Sequence, residues 1–207
     1  MYTLYGFKHS GAAAVEMALE LCGTAFKIVD AASWEQSSSI QELESLNPLK
    51  QIPTLVLPDG DILTESAAIL IHLGLTFPAS GLLPAEPALR AQAIRGLVYI
   101  SANCYSAIGI IDYPERWLPE KDVSMKESVR SGALQRLHSN WDIFADMFPG
   151  TTYLGGDDPN ALDFLAVIVS KWSGTRAHLK NTRPAFLALL ERVELHAAVA
   201  PAFNRHW

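Results

Sequence analysis

Two neighbouring stretches carry residues whose types and spacing suit the capture of a small charged ligand. They are Asn47-Pro48-Leu49-Lys50-Gln51-Ile52-Pro53-Thr54-Leu55 and, just downstream, Glu65-Ser66-Ala67-Ala68-Ile69. In the first, Pro53 stands directly before an apolar, β-branched run. Proline cannot donate to a β ladder, so this position is unusual. A cis peptide is one good reason for it, since it turns the backbone of Ile52 outward at the end of a sheet. An outward amide and carbonyl can pair with the backbone of a bound peptide, as an added strand does. In the second stretch Glu65 and Ser66 open a helix, where free amides and a hydroxyl make a ready anion site. That site suits a ligand carboxylate, and Glu65 suits a ligand ammonium. Each piece also has an ordinary reading, a proline-initiated strand and a capped helix. Together at this spacing they imply a peptide-like ligand with both charges at one end.

The elements that must position these residues alternate in type through the first half of the chain. Tyr2-Thr3-Leu4-Tyr5 is short, aromatic and β-branched and predicts a strand. Ala12 to Cys22 predicts a helix stopped by Gly23. Phe26 to Val29 predicts a second strand, and Ile40 to Ser45 a short helix after a serine-rich stretch. Thr54 to Leu57 and Ile62-Leu63 read as a hairpin closed by Pro58-Asp59-Gly60-Asp61, followed by a helix from Ser66 to Leu75. The order βαβ, α, ββ, α is that of a small mixed sheet with helices on its faces.

Pro78, Ser80, Gly81, Pro84 and Pro87 then crowd into a stiff segment, read as a linker over residues 78–87. Residues 1–77 and 88–207 are therefore expected to form two domains. Beyond the linker the period is helical. Leu89, Ala93, Leu97, Ile100, Cys104 and Ile108 predict one apolar stripe on a long helix. Lys126 to Met147 predicts a second helix, with Val129, Ala133, Leu137, Trp141 and Phe144 inward. Ala161 to Trp172 has almost no polar face and is expected at the centre of the helical region. Asn160 and Asp163 form a capping box at its start.

The composition, 49% hydrophobic and 18% charged, is that of a soluble globular protein. The formal charge of -6 and the lack of a basic stripe argue against nucleic acid as a partner. No apolar run reaches the ~20 residues of a membrane span, and MYTLYGFKHS lacks the features of a signal peptide, so a cytoplasmic location is expected. Cys22 and Cys104 have no metal-ligand spacing and form no Cys-x-x-Cys pair; buried, inert thiols are expected, and no metal.

The chain resembles the glutathione transferase family over essentially its whole length. The resemblance rests on Asn-Pro-x-x-Gln-Ile-Pro-x-Leu at 47–55, Glu-Ser-x-Ala-Ile at 65–69 and the Asn160 to Asp163 box, where the family usually has Ser or Thr first. It departs at Lys50, where glycine is frequent, and at Gln51, where lysine is common. The resemblance implies a thioredoxin-like glutathione-binding domain in front of an all-helical domain, and two-fold homodimers. It implies that Pro53 is cis, that Ile52 pairs with the cysteinyl backbone of glutathione, that Glu65 and Ser66 hold the γ-glutamyl end, and that Gln51 belongs to the same site.

In that family a donor after the first strand stabilises the glutathione thiolate, which a free thiol near pKa ~8.5 requires before it attacks. Three candidates stand there: Ser10, whose hydroxyl lies near a helix's positive end, Tyr5 and His9. Ser10 is favoured, although it also suits a helix cap. Residues 99–106, Tyr-Ile-Ser-Ala-Asn-Cys-Tyr-Ser, look like the bacterial beta-class pattern. That class has a cysteine near Ser10 and basic residues near Tyr105 and Ser106. Their absence here argues against a mixed-disulfide mechanism and so against a reductase. Tyr99, Asn103, Tyr105 and Trp117 are the candidates to line a pocket for a hydrophobic acceptor. The implied activity is conjugation of glutathione, as co-substrate, to such an electrophile. The alternatives are a non-catalytic binding or assembly protein of the same fold, and a glutathione-dependent isomerase. The helix carrying Leu97 is the one expected to face a dimer partner.

Overall fold

A computed structural model of the chain describes residues 1–35, 38–119 and 123–207. The first half contains β1 (Tyr2–Gly6), α1 (Ala12–Leu21), β2 (Phe26–Asp30), α2 (Ile40–Leu46), β3 (Thr54–Val56), β4 (Ile62–Leu63) and α3 (Ser66–Thr76). The strands form one mixed sheet in the order β2-β1-β3-β4. β1 runs parallel to β2, with Leu4 opposite Ile28, and antiparallel to β3, with Leu4 opposite Leu55. The parallel pair needs a crossover, which α1 supplies.

Local chemistry sets the ends of these elements. α1 stops where Gly23 takes a φ of 62°. The Gly23 amide donates to the Glu20 carbonyl at 2.9 Å and the Thr24 amide to the Leu19 carbonyl at 3.3 Å. This reciprocal pair closes the helix around a left-handed residue that glycine accepts at no steric cost. The β3–β4 turn is held by the Asp59 carboxylate, which accepts from the Asp61 amide at 3.1 Å.

The second half comprises α4 (Pro87–Tyr99), α5 (Ser106–Asp112), α6 (Lys126–Met147), α7 (Ala161–Val169), α8 (Thr175–Thr182), α9 (Pro184–Glu194) and α10 (Ala200–His206). Among the described residues its one β feature is a small bridge between Tyr153 and Gly156. α4 and α5 are one continuous helix, joined by a π-helical turn over Ile100–Tyr105 in which the Ser106 amide bonds the Ser101 carbonyl. By length and mean hydropathy this helix meets the measure of a membrane span, but it packs against α6 and α7. All nine residues of α7 are buried. Its capping box forms, with Asn160 Oδ1 accepting from the Leu162 amide at 2.9 Å and Asp163 from the Asn160 amide at 3.0 Å. Asp163 also accepts from the amides of Leu154 (2.8 Å) and Gly155 (3.1 Å), so it gathers the preceding loop onto the helix.

One apolar core runs from Tyr2 and Leu4 through α1 and α3 into α4 and α7, while Tyr5, Ala31 and Leu43 form a small second cluster on the other face of the sheet. The helix stripe requires correction at its first residue. Leu89 is 58% exposed, because it sits in the first turn of α4. Leu97 is fully buried against the core, and the exposed apolar side chains of its helix are Leu89 and Val98. α7 also ends at Val169, short of Trp172.

Candidate functional site

A cleft of about 930 Å³ lies between the β3–α3 side of the sheet and the helix after the π turn. Its floor is the start of α1. An added methyl at Gly11 would lie 2.6 Å from the Tyr105 hydroxyl and 3.3 Å from both Pro53 Cδ and Ser66 Oγ. Groups from three separate elements therefore converge on the first turn of one helix, where the positive end of the dipole favours negative charge.

The sheet-side wall is Gln51, Ile52, Pro53, Glu65 and Ser66, and the Ile52–Pro53 peptide is cis. The loop before Pro53 is held by Asn47. Its Nδ2 donates to the Gln51 carbonyl and to Thr54 Oγ1, each at 3.1 Å, and its Oδ1 accepts from the Leu49 amide at 3.1 Å. Of the four described non-glycine residues with positive φ, three line this cleft: His9 (58°), Lys50 (54°) and Glu65 (65°). Such conformations cost of order 1–3 kcal/mol each and concentrate where a fold must aim particular groups. The value at Lys50 explains why glycine is frequent there in the resembling family.

The three proposed thiol activators occupy different surroundings. Ser10 is buried in the floor, but its hydroxyl donates to the Phe7 carbonyl at 2.7 Å and accepts from the Ala12 amide at 3.2 Å. Its proton is thus already held by the backbone. His9 lies at the rim, exposed, with its ring edge-on to Trp207 at 5.4 Å. Tyr5 does not line the cleft. Strand alternation places it opposite Leu4, in the cluster with Leu43, where its hydroxyl donates to Glu42 Oε1 at 2.5 Å. Burial, first, and then this carboxylate push its pKa up to about 12.

The helical wall also divides the expected residues. Tyr105 and Trp117 line the cleft; Tyr99 and Asn103 do not. The Tyr99 hydroxyl donates to the Asn140 carbonyl at 3.0 Å, and its ring packs on Phe144. Asn103 Nδ2 donates back to the Tyr99 carbonyl at 3.2 Å, and the Asn103 carbonyl accepts from Asn140 Nδ2 at 2.7 Å. Tyr99 lies on α4 before the π turn, and the turn brings Tyr105, its last residue, into the cleft. The sequence reading missed Trp34, Trp172 and Arg116 as wall residues. Arg116 stacks over Tyr113 at 4.0 Å, and Trp172 meets Tyr105 at 5.5 Å. A tryptophan in a polar loop is a signal that could have exposed Trp34. Neither cysteine lines the cleft, and burial raises both thiols, that of Cys104 to about 12.

A thioredoxin-like sheet joined to a helical bundle, with a ligand cleft at their junction, defines the fold of the glutathione transferases. Residues 12–75 match the family model "Glutathione S-transferase, N-terminal domain". Over 130 residues, 62% of this chain and 63% of the relative, the chain is 35% identical to an uncharacterized GST-like protein, YncG, of Escherichia coli. Over 100 residues, 48% of this chain and 46% of the relative, it is 38% identical to a maleylacetoacetate isomerase of Rhizobium meliloti. The matched stretches thus span less than two thirds of either curated relative. Among solved structures, a glutathione transferase from Methylococcus capsulatus superposes with a TM-score of 0.78 at 28% identity, covering 100% of this chain and 98% of that one. A Sulfitobacter homologue with bound glutathione has the same fold, with a TM-score of 0.84 at 23% identity and coverage of 99% and 98%. The chain is thus similar to solved glutathione transferases over its whole length and matches the N-terminal family model over residues 12–75.

Proposed function

We propose that the chain is a glutathione transferase, which binds glutathione along Gln51, Ile52, Pro53, Glu65 and Ser66 and joins its sulfur to a hydrophobic electrophile. The observation that carries this reading is the convergence of Ser66, Pro53 and Tyr105 on the first turn of α1. In the proposed pose the γ-glutamyl end lies at the start of α3, with Ser66 on its carboxylate and Glu65 on its ammonium. The cysteinyl backbone pairs with Ile52, which brings the sulfur over Gly11. There the thiol proton leaves to water, and the thiolate attacks the acceptor carbon. A C–S bond forms, and the leaving group departs with its electron pair. Trp34, Trp117 and Trp172 are aromatic walls for an apolar acceptor.

The division into residues 1–77 and 88–207, joined by 78–87, follows the same reading, as do a cytoplasmic location and a two-fold dimer. The dimer draws on exposed apolar side chains, Leu75 on α3 and Leu89 and Val98 on α4. A second reading, glutathione-dependent isomerisation, is favoured by the relationship to maleylacetoacetate isomerases. There the sulfur adds to a conjugated double bond, rotation follows, and elimination returns glutathione unchanged.

Calorimetry with glutathione, run beside a conjugation assay with an aromatic halide and an isomerisation assay with maleylacetoacetate, separates these readings. Binding with thioether formation supports the transferase, and turnover without glutathione consumption supports the isomerase. Absence of glutathione binding refutes both and leaves a binding or assembly protein of this fold.

A further inference from the structure

We infer that Tyr105, supplied by the helical half of the chain, is the hydrogen-bond donor that stabilises the bound glutathione thiolate, in place of Ser10. The inference rests on the glutathione-binding reading above and names the group that activates the sulfur within it. The argument starts from what each hydroxyl already does. Ser10 gives its only proton to the Phe7 carbonyl and takes one from Ala12, so both of its roles belong to the turn before α1. The Tyr105 oxygen reaches the same floor from the opposite side, at 2.6 Å from the position of a Gly11 methyl.

The surroundings of Tyr105 keep it a donor. Burial raises its pKa to about 12, with Glu65 and Asp112 adding to the effect and the Gly11 amide opposing it. A phenol so held remains protonated across the working range of an enzyme. The Gly11 amide lies beside the tyrosine oxygen and opposes that rise, and the phenolic proton is left for a partner in the cleft. The start of α1 then acts on the sulfur through the tyrosine, because its positive end favours negative charge at the hydroxyl oxygen and strengthens the phenol as a donor. The charged and titratable groups that line the cleft around Tyr105 are His9, Lys50, Glu65, Asp112 and Arg116.

The placement is a product of the π turn. Tyr105 is the last residue of Ile100–Tyr105, and insertion of such a turn rotates everything beyond it relative to a regular helix. Buried Asn140 secures the turn by donating to the Asn103 carbonyl at 2.7 Å, and Trp172 backs the Tyr105 ring. Single-turn π insertions occur often at functional sites.

The test is the pH titration of thiolate absorbance in the glutathione complex, with conjugation kinetics, for wild type, Tyr105→Phe and Ser10→Ala. Tyr105→Phe keeps the ring against Trp172 and removes only the hydroxyl. It is expected to raise the pKa of the bound thiol by one to two units and to lower kcat/KM at neutral pH about 10- to 100-fold, in line with one hydrogen bond to a charged group. Glutathione affinity measured at low pH, where the thiol is neutral, should change less than about threefold. Gly11→Ala, which drives a methyl into the tyrosine oxygen, is expected to act in the same direction in wild type and to add little in the Tyr105→Phe background. A thiol pKa unchanged in Tyr105→Phe, or one shifted only by Ser10→Ala, overturns the inference while leaving glutathione binding intact. Failure of wild type to bind glutathione overturns the reading beneath it and the inference together.

Discussion

Replacing Asn140 by aspartate tests how the π turn is held. Asn140 is 3% exposed, and its Nδ2 is the donor to the Asn103 carbonyl at 2.7 Å. Asn140→Ala removes that donor from a part-buried carbonyl, at a cost of about 1 kcal/mol that does not vary with pH. Asn140→Asp keeps the shape but, once ionised, sets a carboxylate against the Asn103 carbonyl oxygen. A buried charge without its partner costs about 3–5 kcal/mol. When protonated, the same side chain has an O–H that can donate to Asn103, which restores the bond. Burial raises the folded carboxyl's pKa above its unfolded value. The variant's stability is therefore fully present below the unfolded pKa of about 4 and lost as pH rises through the folded one. Urea unfolding at pH 5 and pH 7.5 should show the Asn140→Asp penalty growing by at least about 1.5 kcal/mol between them, while that of Asn140→Ala stays constant. Two variants with equal penalties at both pH values would refute the role given to this hydrogen bond.

Asp163→Ala strips the acceptor from three buried amides and should destabilise by about 3 kcal/mol in urea unfolding. Burial lifts the Asp163 carboxyl from 3.8 to about 6, so its contribution is greatest below pH 4 and is lost as pH rises through 6. The penalty should accordingly be larger at pH 5 than at pH 7.5, and the reverse order would contradict this. Glu16 on α1 is buried and accepts from Arg205 (2.7 Å) and His206 (2.8 Å) of α10. Burial alone would raise its pKa, but the hydrogen bonds from His206 and Arg205 hold it below the usual carboxylate value. Its stabilisation is therefore present above pH ~4.5 and lost on further acidification. Glu16→Gln should cost about 2–3 kcal/mol at pH 7 and progressively less in acid, as read from the denaturation midpoint. Lys50→Gly relieves a left-handed conformation at the loss of an exposed ion pair with Glu44, and should stabilise by about 0.5 kcal/mol. A loss above about 1 kcal/mol would show that Lys50 does more than fill the turn.

What the sequence made legible was local. The bounds of α6, Lys126–Met147, and the capping box of α7 follow from residues a few positions apart. The cleft wall from Gln51 to Ser66 was legible for the same reason, since its parts sit at the ends of adjoining elements. The π turn was not legible. Leu97, Ile100, Cys104 and Ile108 keep helical spacing across it, and all four are buried, so the apolar pattern gives no sign of a change in phase. Within the turn Asn103 lies against Asn140 instead of in the cleft, and Tyr105 lines it. Tyr5 failed for a different reason. Alternation shows that it lies opposite Leu4, but which face of the sheet meets the helices depends on contacts between distant segments. Trp172 reaches the cleft from beyond the end of α7, and no short-range pattern registers that distance.

The extra residue in the long helix also says how this chain can change by loss. An α-helix advances about 100° per residue, so a wide turn behaves as one surplus residue absorbed between two regular stretches. Deleting a single codon within 101–104 can let the helix close into regular winding with α4 and α5 still in place. Everything from Tyr105 onward would then be phased differently against α4, and the hydroxyl now over Gly11 would turn aside. Point substitution alters one wall residue of the cleft at a time. A one-residue deletion here exchanges a whole helical face at once, so this turn is where relatives with the same architecture can acquire a different cleft.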